Sequence, residues 1–290
     1  MIYGNSGEVD NREDNLIAKP FLRWAGGKRL IIQHLRKYIP KDYNDYWEPF
    51  LGAGSMFFSI SPNKAYLSDL NEDLIMCYKY VKNNPVLIHR YLCGHKNKSS
   101  HDYYYRIRDE YNNSKPSAAQ AARFIFLNKT NFNGIFRVNR DGKYNVPFGN
   151  KESPAIPSKL DLITASKRLT KAKLSSISFE NANIPNKVAA GDFLYIDPPY
   201  PPISDTANFR HYTKNRFHWK DHITVANIAN VLREKGCFVM ISNVNIEKVR
   251  TLFLDWNKFE LPVRRWISAN GDRFMASELV ITSYPVPEFK

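Results

Sequence analysis

Short apolar runs alternate with helical stretches along much of the chain. Tyr46-Trp47-Glu48-Pro49-Phe50 reads as a short strand running into the turn Leu51-Gly52-Ala53-Gly54-Ser55, after which Met56-Phe57-Phe58 opens a helix. Ala65-Tyr66-Leu67-Ser68 reads as a second strand ending at Asp69, and Lys173 to Phe179 as a third. Phe193-Leu194-Tyr195-Ile196 and Phe238-Val239-Met240-Ile241 are continuous apolar runs of the kind that fill buried parallel strands, and Leu279-Val280-Ile281-Thr282 is the last. Between two of them a helix is expected, capped by Asp221, running to Lys235 and stopped by Gly236. Strands alternating with helices predict an α/β fold with a mostly parallel sheet covered on both faces.

The pattern is interrupted once. From Asn83 to about Pro157 the texture changes to Tyr103-Tyr104-Tyr105, a helical Ala118 to Leu127, and a polar stretch dense in Asn, Gly, Lys and Arg. Asp141-Gly142, between Phe136-Arg137-Val138 and Tyr144-Asn145-Val146, predicts a hairpin with a type I′ turn. The chain therefore divides into a loose polar arm at 1–18, an α/β domain at 19–82 and 158–290, and an inserted domain at 83–157.

Composition narrows the partners. The 290 residues carry 42 Lys and Arg against 28 Asp and Glu, a net charge of +14, although the first eighteen residues run the other way with Arg12 against Glu8, Asp10, Glu13 and Asp14. A basic body of this size suits phosphate contacts, and its hairpin tip, rich in Arg and Asn, suits a DNA groove. A hydrophobic fraction of 43% is enough for a real core and rules out a disordered chain, and no apolar run has the length of a membrane span or a signal peptide. Cys77, Cys93 and Cys237 are an odd number with no C-x-x-C spacing, so neither a disulfide framework nor a zinc site is expected and a reducing cytoplasm is the natural setting. His218 and His222 lie four apart but lack further ligands at suitable spacing, which leaves no metal expected.

Two constellations can carry chemistry. Gly52 and Gly54 let the backbone approach a ligand without a β-carbon, and Asp69, 17 residues beyond Gly52, stands near the offset at which an acidic residue meets a ribose. Phe57 replaces the third glycine of a dinucleotide fingerprint, which favours an adenosine-bearing cofactor over a pyrophosphate one. Asp197-Pro198-Pro199-Tyr200 ends an apolar strand, where open α/β sheets place their sites. The Asp197 carboxylate and Pro198 carbonyl offer two acceptors for the hydrogens of an exocyclic nucleobase amine. They would favour the pyramidal nitrogen that a methyl transfer needs, the prolines would fix the carbonyl, and Tyr200 would stack on a base extruded from the duplex. The same chemistry suits adenine N6, cytosine N4 or an RNA base, and a binding protein that has lost activity would keep the fold.

Four blocks, Phe21 to Lys28, Glu48 to Gly54, Asp69-Leu70-Asn71 and Asp197 to Tyr200, occur in the order seen in the α-group DNA adenine-N6 methyltransferases, and the chain resembles their Dam subfamily. The likeness runs from about Pro20 to Tyr284, taking in Asn131 to Arg137, Tyr144 to Gly149, Thr206 to Phe209, and Arg264-Arg265 through Asn270-Gly271. It implies a seven-stranded, Rossmann-like S-adenosylmethionine-dependent methyltransferase core with an inserted helical and hairpin DNA-recognition domain. It also implies methylation of adenine N6 in duplex DNA within GATC, by base flipping and direct in-line transfer. By the same resemblance Trp24, Lys28, Asp69, Phe179 and Asp197 hold the cofactor, while Arg23, Phe132, Asn133, Ile135, Arg137, Asn139 and Pro147 meet the DNA, with Arg137 the reader of a guanine. A cognate restriction endonuclease is the partner such an enzyme would answer to. Asn150 departs from the basic residue expected after the Tyr144 to Gly149 block, and Lys129-Thr130-Asn131 from the more basic, aromatic usage expected before the hairpin.

Overall fold

The computed structural model describes residues 18–201, 217–269 and 272–286, with side chains between 262 and 276 left aside. The strands are β1 (Tyr46–Glu48), β2 (Ala65–Asp69), β3 (Ala172–Ser176), β4 (Phe193–Ile196), β5 (Phe238–Val244), β6 (Asn257–Ala269) and β7 (Asp272–Thr282). The helices are α1 (Ile32–Leu35), α2 (Ser55–Ile60), α3 (Glu72–Asn83), α4 (Pro85–Lys96), α5 (His101–Asn112), α6 (Ala118–Thr130), α7 (Lys159–Leu169), α8 (Ile184–Lys187), α9 (Trp219–Glu234) and α10 (Glu247–Arg250).

The strands form one seven-stranded sheet in the order β3-β2-β1-β4-β5-β7-β6. β1 to β5 are parallel, while β7 runs antiparallel to both β5 and β6. This is the Rossmann-like arrangement expected from the sequence, with the order reversing between β1 and β4. That reversal opens a crevice at the carboxyl ends of the two central strands. Side chains sort between the faces with period two. Tyr46, Phe193, Tyr195, Met240 and Val280 join the core shared with α3 to α7, and Trp47, Leu194, Ile196, Val239, Leu279 and Ile281 join the core under α9. The helices from the interrupted region thus pack onto one continuous core with the sheet: Tyr104, Ile107, Phe126 and Val146 belong to the same cluster as Tyr46 and Phe193.

Helix starts follow side-chain caps. Asn71 Oδ1 accepts from Leu74 N at 2.8 Å to open α3, Ser117 caps α6, and Ser158 with Asp161 forms a reciprocal capping box on α7. Two sequence readings change. The cap of α9 is His218, not Asp221; Asp221 occupies the third helical position and accepts from the His218 backbone N–H, so the helix begins earlier than expected, at Trp219. The Asp141-Gly142 turn is not type I′. Of the pair, Gly142 has the positive φ, 77°, and its N–H bonds to Asn139 O, so the turn spans Asn139 to Gly142 and one isolated bridge, Val138 to Tyr144, stands where a hairpin ladder was expected. The Asn139 side chain sets this geometry by accepting from the N–H groups of Asp141 and Lys143. Of the arm at 1–18 only Ala18 lies within the described residues, and it is buried. The blocks Thr206 to Phe209 and Asn270-Gly271 lie outside them.

Candidate active site

The turn after β1 is shaped by what glycine lacks. Gly52 sits at φ 48°, and a β-carbon there would lie 3.0 Å from Trp24 Cδ1. Its N–H donates to Asp69 Oδ2 at 3.0 Å while Asn71 N donates to Oδ1 at 2.9 Å, so the carboxylate at the end of β2 ties down both the glycine turn and the start of α3. A carboxylate has about four acceptor sites, so capacity remains for a further donor such as a ribose hydroxyl. Burial raises the Asp69 pKa, and the backbone donors oppose the rise.

Asp197 stands at the end of β4, one residue beyond the Ile196 to Ile241 pairing, which brings it level with Ser242 of β5. Its Oδ1 accepts from Ser242 Oγ at 2.9 Å and from Lys28 Nζ, and Ser242 in turn bonds Tyr195 OH at 2.7 Å. One carboxylate oxygen is therefore anchored, while no described residue donates a hydrogen bond to Oδ2. Lys28 reaches Asp197 from the loop before α1; it is only 2% exposed, donates to Gly26 O at 3.1 Å and lies 4.8 Å from the centroid of the Tyr200 ring. Glu278 completes the cluster from β7: its Oε1 is 3.7 Å from Lys28 Nζ and accepts from Tyr200 OH at 2.5 Å.

Glu48, at the end of β1, is buried beneath the same turn, where Oε2 accepts from Tyr46 OH at 2.8 Å and Phe57 N at 3.1 Å. Burial pushes its pKa up to about 8; the Tyr46 hydrogen bond opposes this, and the charges of Asp197 and Asp69 add to it. Glu48 thus lies within electrostatic reach of both Asp69 and Asp197, beside a glycine turn with no β-carbon. The two aspartates as acceptors, with the glycine turn, fit a cationic, hydroxyl-bearing cofactor. Phe179, 5% exposed, packs against Phe50 with ring centroids 5.3 Å apart.

Apart from Arg23, the residues expected to meet DNA lie in the loop after α6, which abuts the loop carrying Arg23, Trp24 and Lys28. Asn128 Oδ1 accepts from Arg23 N at 2.8 Å, and its Nδ2 donates to Arg23 O at 2.8 Å and Gly134 O at 3.2 Å. Trp24 stacks on Phe136 at 5.7 Å. Phe132 is 54% exposed, Asn133 takes a left-handed φ of 58°, and Arg23 and Pro147 are exposed. Ile135 is half-buried against the core and Asn139 is engaged in its own turn. Arg137 donates from Nε to Asn145 Oδ1 at 2.8 Å and from Nη2 to Asn145 O at 3.1 Å, which occupies the side edge of the guanidinium and leaves the Nη1/Nη2 end for a ligand. Beside this loop, burial and the nearby cations Arg23, Arg29 and Lys151 push the Lys129 pKa down to about 8.

The chemistry-bearing blocks of the sequence thus converge on the ends of β1, β2 and β4. Sequence reasoning missed Glu48 and Asn128, although both lie in or beside quoted blocks, and it missed Ser242 and Glu278 altogether. The signal for the last two was a polar residue inside an otherwise apolar strand. Among the described residues no cluster of three or more His, Cys, Asp or Glu is arranged to hold a metal, and His222 is buried between Phe217 and Trp219. Among the described residues, too, no helix is long and apolar enough to cross a membrane.

A model of the D12 class N6 adenine-specific DNA methyltransferases matches residues 24–270. The chain is 32% identical over 278 residues to the type II methyltransferase M1.LlaDCHI of Lactococcus lactis subsp. cremoris, an alignment covering 94% of this chain and 98% of that one. It is 35% identical over 288 residues to the type II methyltransferase M.MjaIII of Methanocaldococcus jannaschii, covering 92% and 99%. It is 34% identical over 256 residues to the DNA adenine methylase of Escherichia coli K12, covering 87% and 90%. With the family match spanning most of the sheet and the site at its carboxyl edge, the chain belongs to the D12 class N6 adenine-specific DNA methyltransferases.

Proposed function

We propose that this enzyme methylates adenine N6 within GATC in duplex DNA, acting on a base turned out of the helix. The observation that carries the chemistry is the anchoring of Asp197: Lys28 and Ser242 hold Oδ1, which supports Oδ2, together with the Pro198 carbonyl, as the acceptors of the two amine hydrogens. Two acceptors draw the nitrogen lone pair out of conjugation with the ring, and the fixed prolines keep the acceptors from swinging away, which is positioning rather than acid–base work. Tyr200, tied through its hydroxyl to Glu278, offers the face against which the extruded base stacks. S-adenosylmethionine supplies a methyl group on a sulfonium centre, for which Trp24, Lys28, Gly52, Gly54, Asp69 and Phe179 are the residues we assign to binding. The carboxylates of Asp69 and Asp197 suit its positive charge, while the raised pKa of Glu48 leaves that group largely neutral near pH 7.

Residues 83–157 serve as the recognition part in this reading. Arg23, Arg29, Lys129 and Lys151 crowd one another closely enough to shift a pKa, and such crowding of like charges is relieved by phosphates. The end-on Nη1/Nη2 pair of Arg137 suits guanine O6 and N7, Phe132 or Asn133 fills the space left by the flipped adenine, and Asn139 shapes the turn beside them. The test is methyl transfer to two duplexes of equal composition, one with GATC and one with the same bases scrambled, read by nucleoside mass analysis. N6-methyladenine only in the GATC duplex is the expected result; equal methylation of both would overturn the specificity while leaving the chemistry.

A further inference from the structure

We propose that Glu278 is a positioning residue for the methyl-transfer centre, holding Tyr200 by its hydroxyl and sharing the charge of Lys28 with Asp197. The role rests on the reading of Asp197 and Tyr200 given above. Glu278 is fully buried on β7, and the antiparallel run of that strand, with Glu278 opposite Val244, lifts the carboxylate level with the carboxyl ends of the parallel strands. A buried carboxylate is costly unless paired and hydrogen-bonded. Here Oε1 does both, accepting from Tyr200 OH at 2.5 Å and lying 3.7 Å from Lys28 Nζ.

The arrangement has a chemical consequence. Lys28 contacts Asp197 directly, and a lysine with no other counter-charge would draw electron density from the carboxylate that must accept from the target amine. Glu278 supplies that second counter-charge, so Asp197 is anchored without losing its strength as an acceptor. The same carboxylate fixes the Tyr200 ring beside Lys28, 4.8 Å from its ammonium, which sets the plane on which the base stacks.

The variants Glu278→Gln and Tyr200→Phe separate the two parts. The amide oxygen of Gln can still accept from the phenol but carries no charge, whereas Phe keeps the ring and removes the tie. For Glu278→Gln the expected result is a single-turnover rate at saturating cofactor and GATC duplex lower by about tenfold, with KM for DNA within about threefold. The fluorescence of 2-aminopurine at the target position, which reports extrusion and stacking of the base, should stay unchanged in Glu278→Gln and change in Tyr200→Phe. A single-turnover rate for Glu278→Gln within about twofold of the unaltered enzyme would overturn the charge sharing. Unchanged fluorescence in Tyr200→Phe would overturn the tie. Should either variant fold poorly, a cycle of Lys28→Met and Glu278→Gln in urea unfolding reads the pair directly: non-additivity of about tenfold or more in the unfolding constant is expected, and additivity overturns the proposal. Absence of transfer by the unaltered protein on every duplex would instead remove the functional reading beneath it.

Discussion

Replacing Glu48 by Gln should change how stability depends on pH, with a sign fixed by burial. The native carboxyl has its pKa raised from 4.5 to about 8, chiefly by desolvation, whereas in the unfolded chain it returns to the ordinary range. Between those values the native state holds a proton that the unfolded state has lost, so stability falls as pH rises from about 4.5 and levels off above about 8. At about 1.4 kcal/mol per pH unit the full fall attributable to this group is about 5 kcal/mol. The amide introduced by Glu48→Gln would keep an acceptor for Tyr46 OH and Phe57 N and carry no titrating proton, so the variant should lack this slope and gain on the parent as pH rises. His95 and His222, both pushed down to about 4 by burial, act the other way below about pH 6.5, but they are common to both proteins and cancel in the difference. Urea unfolding followed by tryptophan fluorescence at pH 5.5, 6.5, 7.5 and 8.5 (conditions set about the two ends of the window) supplies the curves. Parallel curves, differing by less than about 1 kcal/mol in offset across the range, would refute the reasoning.

Asp197→Ala should abolish methyl transfer while leaving duplex binding largely intact, checked by labelled-methyl incorporation beside a gel-shift titration; equal activity would remove Asp197 from its assigned role. Arg137→Ala should lower discrimination at the guanine it reads by about 1 to 3 kcal/mol, measured as kcat/KM ratios among single-base variants of the site. Gly134→Ala should destabilise the enzyme by about 2 to 4 kcal/mol in urea, because the residue sits at φ 67° and its new β-carbon would lie 2.7 Å from Arg23 Cβ. Lys28→Met should cost about 3 to 5 kcal/mol in the same assay by stranding Asp197 and Glu278, and a loss below about 1 kcal/mol would mean that the lysine is not their counter-ion.

Much of this protein is local, and what is local was legible. The apolar runs of β4 and β5, the glycine turn after β1 and the helical run of α6 are set by side chains within a few residues of one another, so spacing alone located them, whereas the capped starts of α3 and α7, equally local, were not read. The family likeness was legible for a related reason: Trp24, Lys28, Gly52, Asp69 and Asp197 sit in short blocks whose order survives in sequence. Turn chemistry was harder. Asp-Gly suggests a type I′ hairpin, but the Asn139 side chain competes for the same backbone N–H groups and draws the turn back to begin at Asn139. His218 took the cap from Asp221 by a similar local competition.

The tertiary structure decided what lies between blocks far apart in the chain. That Asp197 has one oxygen anchored follows from strand register, which places Ser242 beside it across 45 residues, and from the loop that returns Lys28 across 169. Glu278 looks in sequence like an odd charge in an apolar strand; only the antiparallel entry of β7 shows that it closes the Lys28 and Tyr200 cluster. The sequence by itself determined the central strands, the family and the chemical groups available, because those depend on residue type and near neighbours, while β6 and the helices α3, α4 and α7 became visible only in the fold. The partners of each buried charge, and with them the pKa of Glu48 and the anchored oxygen of Asp197, were decided by the sheet, because electrostatics and hydrogen bonding act through space and not along the chain.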